Sequence, residues 1–161
     1  MIELAHIGWR EWVGLPDLDI TRVKAKVDTG ARSSSLHAYD IEVFSKGRRD
    51  FVRFAVHPVQ RETRTTIHCV AELHEHRHVK SSSGHREYRP IIRTLVQLGG
   101  ERWPIDLTLT TRDAMGFRML LGREAIRKRF LVDPGRSYPV SYTHLTLPTM
   151  RLRCRSRWSP Y

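Results

Sequence analysis

Three groups of residues in this 161-residue chain have types and spacings that could do chemistry. The first is Asp28-Thr29-Gly30, a carboxylate in a glycine-containing turn at the end of an alternating strand that includes Val23, Ala25 and Val27. A carboxylate so presented can accept a proton from water or give one to a carbonyl. The tripeptide alone is a weak signal, since average residue usage places it in roughly a few per cent of chains this long. The second group, His74-Glu75-His76-Arg77-His78, formally satisfies His-Glu-x-x-His. That motif works only on a helix, where positions four apart present two imidazoles to one metal. Here it continues the period-two run Ile67, Cys69, Ala71 and Leu73, so a strand is expected. On a strand His74, His76 and His78 share one face and Glu75 points away, which suits adventitious metal binding better than catalysis. No metal site is assigned. The third group, Ser33, Ser34 and Ser35, lacks a convincing His/Asp set for a serine nucleophile. There is no Gly-x-x-x-x-Gly-Lys-Ser/Thr loop to hold ATP, and no cofactor is expected.

A second element sharpens the first. Met119-Leu120-Leu121-Gly122-Arg123 places two apolar residues before Gly-Arg after a strand, and with Asp-Thr-Gly it resembles the two halves of a retropepsin core. The likeness continues in Gly8-Trp9-Arg10-Glu11-Trp12-Val13, Leu15-Pro16-Asp17-Leu18, Lys24 to Arg32 and Ser35-Leu36-His37-Ala38. It extends through Ser83-Gly84-His85, Leu107-Thr108-Leu109-Thr110 and Leu131-Val132-Asp133-Pro134. Over residues 6–138 these motifs resemble one bacterial family of retropepsin-like aspartic peptidases. That family is commonly labelled ATP-dependent zinc protease and is often linked to an ATP-grasp ligase that adds glutamates to a ribosomal protein.

The resemblance implies an all-β fold: a small closed acid-protease barrel with one short C-terminal helix. It implies an aspartic endopeptidase whose catalytic residues are Asp28, Thr29 and Gly30. Substrate contacts would come from Ala31, Arg32, Ser83, Gly84, Leu121, Gly122 and Arg123, with residues 79–85 as a flap. Peptide hydrolysis of this kind needs two carboxylates facing one water, and two carboxylates about 3 Å apart share one proton. The chain has a single Asp-Thr-Gly, so the second aspartate is expected from another copy, on the axis of a two-fold homodimer. Thr29 would then hydrogen-bond across the dimer. Leu120 and Leu121 would pack around the aspartate loop, and Gly122 would let the crossing strand pass. One departure stands out. Retroviral enzymes have an acid after Asp-Thr-Gly-Ala that pairs with the Arg following the downstream Gly, whereas Arg32 occupies that position here. Arg32 is left to reach substrate, another acid or solvent.

The elements that must position these residues are legible as alternation. Strands are expected over Val23–Val27, Tyr39–Val43, Val52–Val56, Ile67–Leu73, Thr94–Leu98 and Trp103–Thr110. Gly99-Gly100 reads as a tight hairpin between the last two. Only Arg123–Arg129 looks helical. Many short strands with one late helix suggest a closed or nearly closed β structure, which periodicity alone does not restrict to the acid-protease barrel.

The segment Val140-Ser141-Tyr142-Thr143-His144-Leu145-Thr146-Leu147-Pro148-Thr149 resembles a translated sequencing adapter, and an arginine-heavy stretch follows it. Residues 140–161 are therefore expected to be a non-native, unstructured tail, leaving 1–139 as one domain. Of the net charge of +11, Arg151, Arg153, Arg155 and Arg157 supply four, which leaves +7 for the body. Cys69 is then the body's one cysteine, so no disulfide and a cytoplasmic location are expected. No apolar run reaches transmembrane length, and the scattered Lys and Arg match no nucleic-acid module. The expected partner is a polypeptide substrate, acidic or glutamylated. Two other readings stay open: a non-catalytic peptidase-fold module that binds a glutamylated partner, and a zinc-dependent protease.

Overall fold

Alternation translates directly into burial along the strand that leads to Asp28. Val23, Ala25 and Val27 are buried, and Lys24 and Lys26 between them reach outward. The computed structural model describes residues 4–58, 66–80, 84, 86–111 and 116–140, with backbone alone for 78–80, 86 and 87. Strand β1 (Ala5–Leu15) and a short 3-10 turn (Pro16–Leu18) lead into β2 (Ile20–Asp28). Then follow β3 (Ser34–His37), β4 (Tyr39–Lys46), β5 (Arg49–Val56), β6 (Ile67–Lys80), β7 (Arg86–Leu98) and β8 (Glu101–Thr110). Strand β9 (Met119–Gly122), helix α1 (Arg123–Ile126) and β10 (Phe130–Ser137) complete the described chain.

Six strands close on themselves in the order β1, β2, β9, β3, β8, β7, the ring completed where Gly14 of β1 pairs with Gln97 of β7. The fold is thus the small all-β barrel with one short helix that the motifs implied. Strand β10 lies parallel to β1 outside the ring, and β6, β5 and β4 extend the sheet beyond β7. Inside, Leu15, Ile20, Leu36, Ile92, Leu107, Leu109, Met119 and Leu121 are fully buried. The Trp103 indole N–H donates to the Ala125 carbonyl at 3.0 Å, which ties α1 to the barrel.

Turn chemistry sets the register of the hairpins. Leu98 pairs with Glu101 across Gly99-Gly100, and Gly99 has φ +63°, as a two-residue hairpin requires. Helix α1 stops at Ile126, short of the expected Arg129, because Lys128 adopts φ +67° and turns the chain into β10. Strand β10 carries Pro134-Gly135 and exposes most of its residues, so no alternation announces it. Val140 packs against the core and its N–H reaches the buried Glu11 carboxylate at 3.4 Å. Residues 141–161 lie outside the described part. Among the described residues, no helix is long and apolar enough to cross a membrane.

Candidate active site

Asp28 ends β2 next to β9, in parallel register with Gly122. Strand β9 in turn pairs antiparallel with β3, so it runs between the two strands that flank the aspartate loop. Passage that close leaves no room for a side chain. A Cβ on Gly122 would lie 2.5 Å from both the carbonyl carbon and the oxygen of Ser33. The Gly122 N–H donates to the Ser34 hydroxyl at 3.0 Å, and the Arg123 and Glu124 N–H groups donate to the Ala31 and Arg32 carbonyls at 2.7 and 3.0 Å. The loop is therefore laced by backbone bonds to the start of α1.

Within the loop, the Gly30 N–H donates to Asp28 Oδ1 at 3.0 Å and the Ala31 N–H to the Asp28 carbonyl at 3.2 Å. These bonds aim the carboxylate, and a side chain at Gly30 would crowd it, with Cβ 3.2 Å from Oδ1. Asp28 is half-buried while Thr29 and Gly30 are exposed, so the tip of the loop faces outward from the single chain. Arg123 finds a partner of its own: its guanidinium donates to the Thr29 carbonyl at 3.2 Å. Arg32 faces Glu124, with Nε 3.8 Å from Oε1.

Of the residues expected to form a site, Asp28, Thr29, Gly30, Ala31, Arg32, Gly122 and Arg123 come together. Leu121 is fully buried and supports the loop from the core. Gly84 lies beyond the last pair of the β6–β7 hairpin, Lys80 with Arg86, exposed and with φ +87°. Ser83, and most of the 79–85 segment read as a flap, lie outside the described residues. His37 is buried, and its Nδ1 accepts from the Arg118 guanidinium at 2.9 Å, which places any single ring proton on Nε2. His74, Glu75 and His76 are on the extended strand β6. His76 packs on Tyr88 and Glu75 pairs with Arg77 at 3.0 Å, so histidine and glutamate serve different neighbours. Among the described residues, no three His, Cys, Asp or Glu side chains converge to hold a metal ion.

A groove of about 290 Å³ adjoins the loop, lined by Arg32, Ser33 and Ser34, by Glu75 and Arg77 of β6, and by residues of β7, β8 and α1. A larger hollow of about 520 Å³ lies at the other end of β2, around Trp12, Arg22 and Arg102, and shares no residue with the aspartate loop. Of the two, the smaller groove is the one that shares residues with the loop following Asp28. Sequence reasoning missed its Arg77 and Arg93, which look like solvated strand residues. The available signal was their placement on outward positions of the strands flanking the expected flap.

The closed barrel with its Asp-Thr-Gly loop beside Gly122 is a retropepsin-like arrangement, and comparison with known proteins places it in a family. A structural-genomics crystal structure of a Legionella pneumophila protein of unknown function aligns with a TM-score of 0.71 and 29% identity, over 86% of this chain and 99% of that one. A protein named "Probable alpha-L-glutamate ligase" from Shewanella pealeana is 45% identical over 132 residues, and one of the same name from Parasynechococcus marenigrum is 48% identical over 132. Each alignment takes in 82% of this chain, but the chain spans only 29% and 28% of those two relatives. The family described as RimB-like, "Retropepsin-like aspartic endopeptidase RimB", matches residues 6–141. The chain belongs to the RimB-like, retropepsin-like aspartic endopeptidase family.

Proposed function

We propose that this protein is a homodimeric aspartic endopeptidase in which the Asp28 carboxylates of two copies activate one water. The observation that carries the reading is the Asp28 loop, fixed by Gly30, Gly122 and Arg123 yet turned outward at Thr29 and Gly30, where a second loop would meet it. One carboxylate takes a proton from the water as its oxygen bonds to the scissile carbonyl carbon, and the other, protonated, donates to the carbonyl oxygen. Collapse of the tetrahedral adduct returns a proton to the nitrogen, breaks the C–N bond and leaves a carboxylic acid and an amine. The pair ends with the one proton it began with. Substrates would be polypeptides with acidic or glutamylated segments, to which a body charge of +7 gives a favourable encounter. A lone buried Cys69 in the body suits a reducing cytoplasm.

Asp28→Asn tests the mechanism. The amide oxygen can still accept from Gly30, so the fold and peptide binding are expected to persist while cleavage disappears. A transition-state-mimicking aspartic peptidase inhibitor should block the wild type, and a zinc chelator should not. Near-wild-type turnover in the Asn variant would sink the aspartic mechanism, and chelator sensitivity would restore the zinc reading. A second reading draws on the relatives named as glutamate ligases, in which a region like this chain forms under a third of the length. There the fold would hold a glutamylated partner without cutting it. That outcome is recognised by binding that is equal in both forms and turnover in neither.

A further inference from the structure

Three arginine–carboxylate pairs line the groove that adjoins the Asp28 loop. Arg32 faces Glu124 at 3.8 Å, Arg77 faces Glu75 at 3.0 Å, and Arg93 faces Asp106 at 3.6 Å. The members come from five different elements: the loop after β2, α1, β6, β7 and β8. All six side chains are about half exposed or more, from 47% for Glu75 to 76% for Arg32. Two of the separations exceed hydrogen-bond length, so the guanidiniums of Arg32 and Arg93 are held near a carboxylate without committing their donors to it. A guanidinium presents five N–H groups in a planar fork that fits a carboxylate bidentately and is weakly hydrated. Beneath them, Ile91 and Ile105 are nearly buried and give the groove an apolar floor.

We infer that these pairs are exchangeable: Glu124, Glu75 and Asp106 stand where carboxylates of an acidic peptide bind, and Arg32, Arg77 and Arg93 are the residues that select it. The inference rests on the peptide-binding reading of this site and adds the means of selection. While the groove is empty, its three positive and three negative charges cancel, so a neutral peptide gains little there. An acidic peptide releases Arg32 and Arg93 from loosely held internal partners, and Arg77 from its hydrogen bond to Glu75, and offers each a carboxylate of its own, with glutamyl methylenes lying on Ile91 and Ile105. A basic peptide could address the three acids, but the surrounding body charge of +7 opposes its approach. Pairs of this kind act as placeholders. They keep the arginine stems extended along the groove and lessen their mutual repulsion until substrate arrives.

The test measures binding, with the full chain carrying Asp28→Asn so that nothing is cut. The probes are a fluorescent pentaglutamyl peptide and its pentaglutaminyl counterpart, followed by anisotropy at physiological salt. Neutralising the placeholders with E75Q, D106N and E124Q together is expected to tighten pentaglutamyl binding about 5-fold to 10-fold and leave the glutaminyl peptide unchanged. R32Q, R77Q and R93Q together should abolish the preference, and R32Q alone should weaken it. The combination D17N, E42Q and E101Q makes the same change in net charge at exposed positions outside the groove. It should alter binding less than 2-fold, since surface charges are screened beyond about 8 Å at that ionic strength. Equal tightening by this control, or none from the groove variant, would overturn the exchange. Failure of the catalytic reading looks different: the wild type would not cleave, yet the selective binding would remain. Cleavage without glutamyl preference would remove the groove inference alone.

Discussion

A methyl group at Gly122 has nowhere to go, because the atoms it would meet belong to the Ser33 backbone rather than to a movable side chain. Gly122→Ala is expected to lower stability by about 1–3 kcal/mol, the range for forcing extra volume into a packed site. Denaturant unfolding checks this, and an unchanged midpoint would show that β9 can shift away from the loop. A second prediction concerns Cys69. Burial, reinforced by the nearby negative charge of Asp19, pushes its thiol from 9.0 up to about 11. Thiolate is the reactive form, so in a Cys154→Ser background native protein at pH 8 should react with a thiol reagent at least about 100-fold more slowly than protein unfolded in urea. The folded state binds this proton more tightly than the unfolded state does. The resulting stability is complete below pH 9 and drains away as pH rises towards about 11. A melting temperature flat from pH 8 to 11 would contradict that sign.

At the scale of elements, the end of the described chain is fastened through Glu11. Its buried carboxylate accepts the Gly8 N–H at 2.8 Å and the Val140 N–H at 3.4 Å, and Tyr138 stacks on Trp12. Ending the protein after residue 141 should leave the melting temperature where it is. Ending it after residue 137 should lower stability by about 1–3 kcal/mol, the cost of leaving a buried acceptor short of a partner, besides the lost ring contact. Thermal melts of the two truncations decide it. Elements were legible where one face is buried and the other is not, as at Val23, Ala25 and Val27 or at Ile105, Leu107 and Leu109. Alternation overstated burial on β4, where Ile41 is half-buried and Val43 exposed, because that strand lies at the outer end of the sheet. The aspartate loop and the glycine opposite it could be read from short motifs because both are demands of the local backbone. The meeting of Arg32 with Glu124, and of Arg93 with Asp106, could not. Such pairs depend on which strands, loops and helices come to adjoin, and one sequence does not announce its sheet order.

At the scale of the whole molecule, the proposed chemistry belongs to two chains and should behave so. Let wild type be mixed with an equal amount of Asp28→Asn and left to exchange subunits. Half of the dimers would then be mixed, and only a quarter would keep both aspartates. Cleavage by the wild-type subunits should therefore fall to about one half, although no wild-type protein has been removed. Activity that simply adds would mean that each chain works alone. Sedimentation run alongside must show the dimer over the same concentrations.

The parallel pairings also govern when the aspartate loop can exist. Strand β1 pairs with β10, β2 with β9 and β3 with β8, each joining early chain to late chain. Contacts so distant in sequence form slowly. During synthesis Asp28 leaves the ribosome early, but the glycine it lies beside and the arginine that braces it arrive only with residues 122 and 123. A nascent or prematurely terminated chain thus carries the Asp-Thr-Gly tripeptide without the geometry that would arm it. The cleavage proposed for that carboxylate would thus be withheld amid the unfinished chains of its own birthplace.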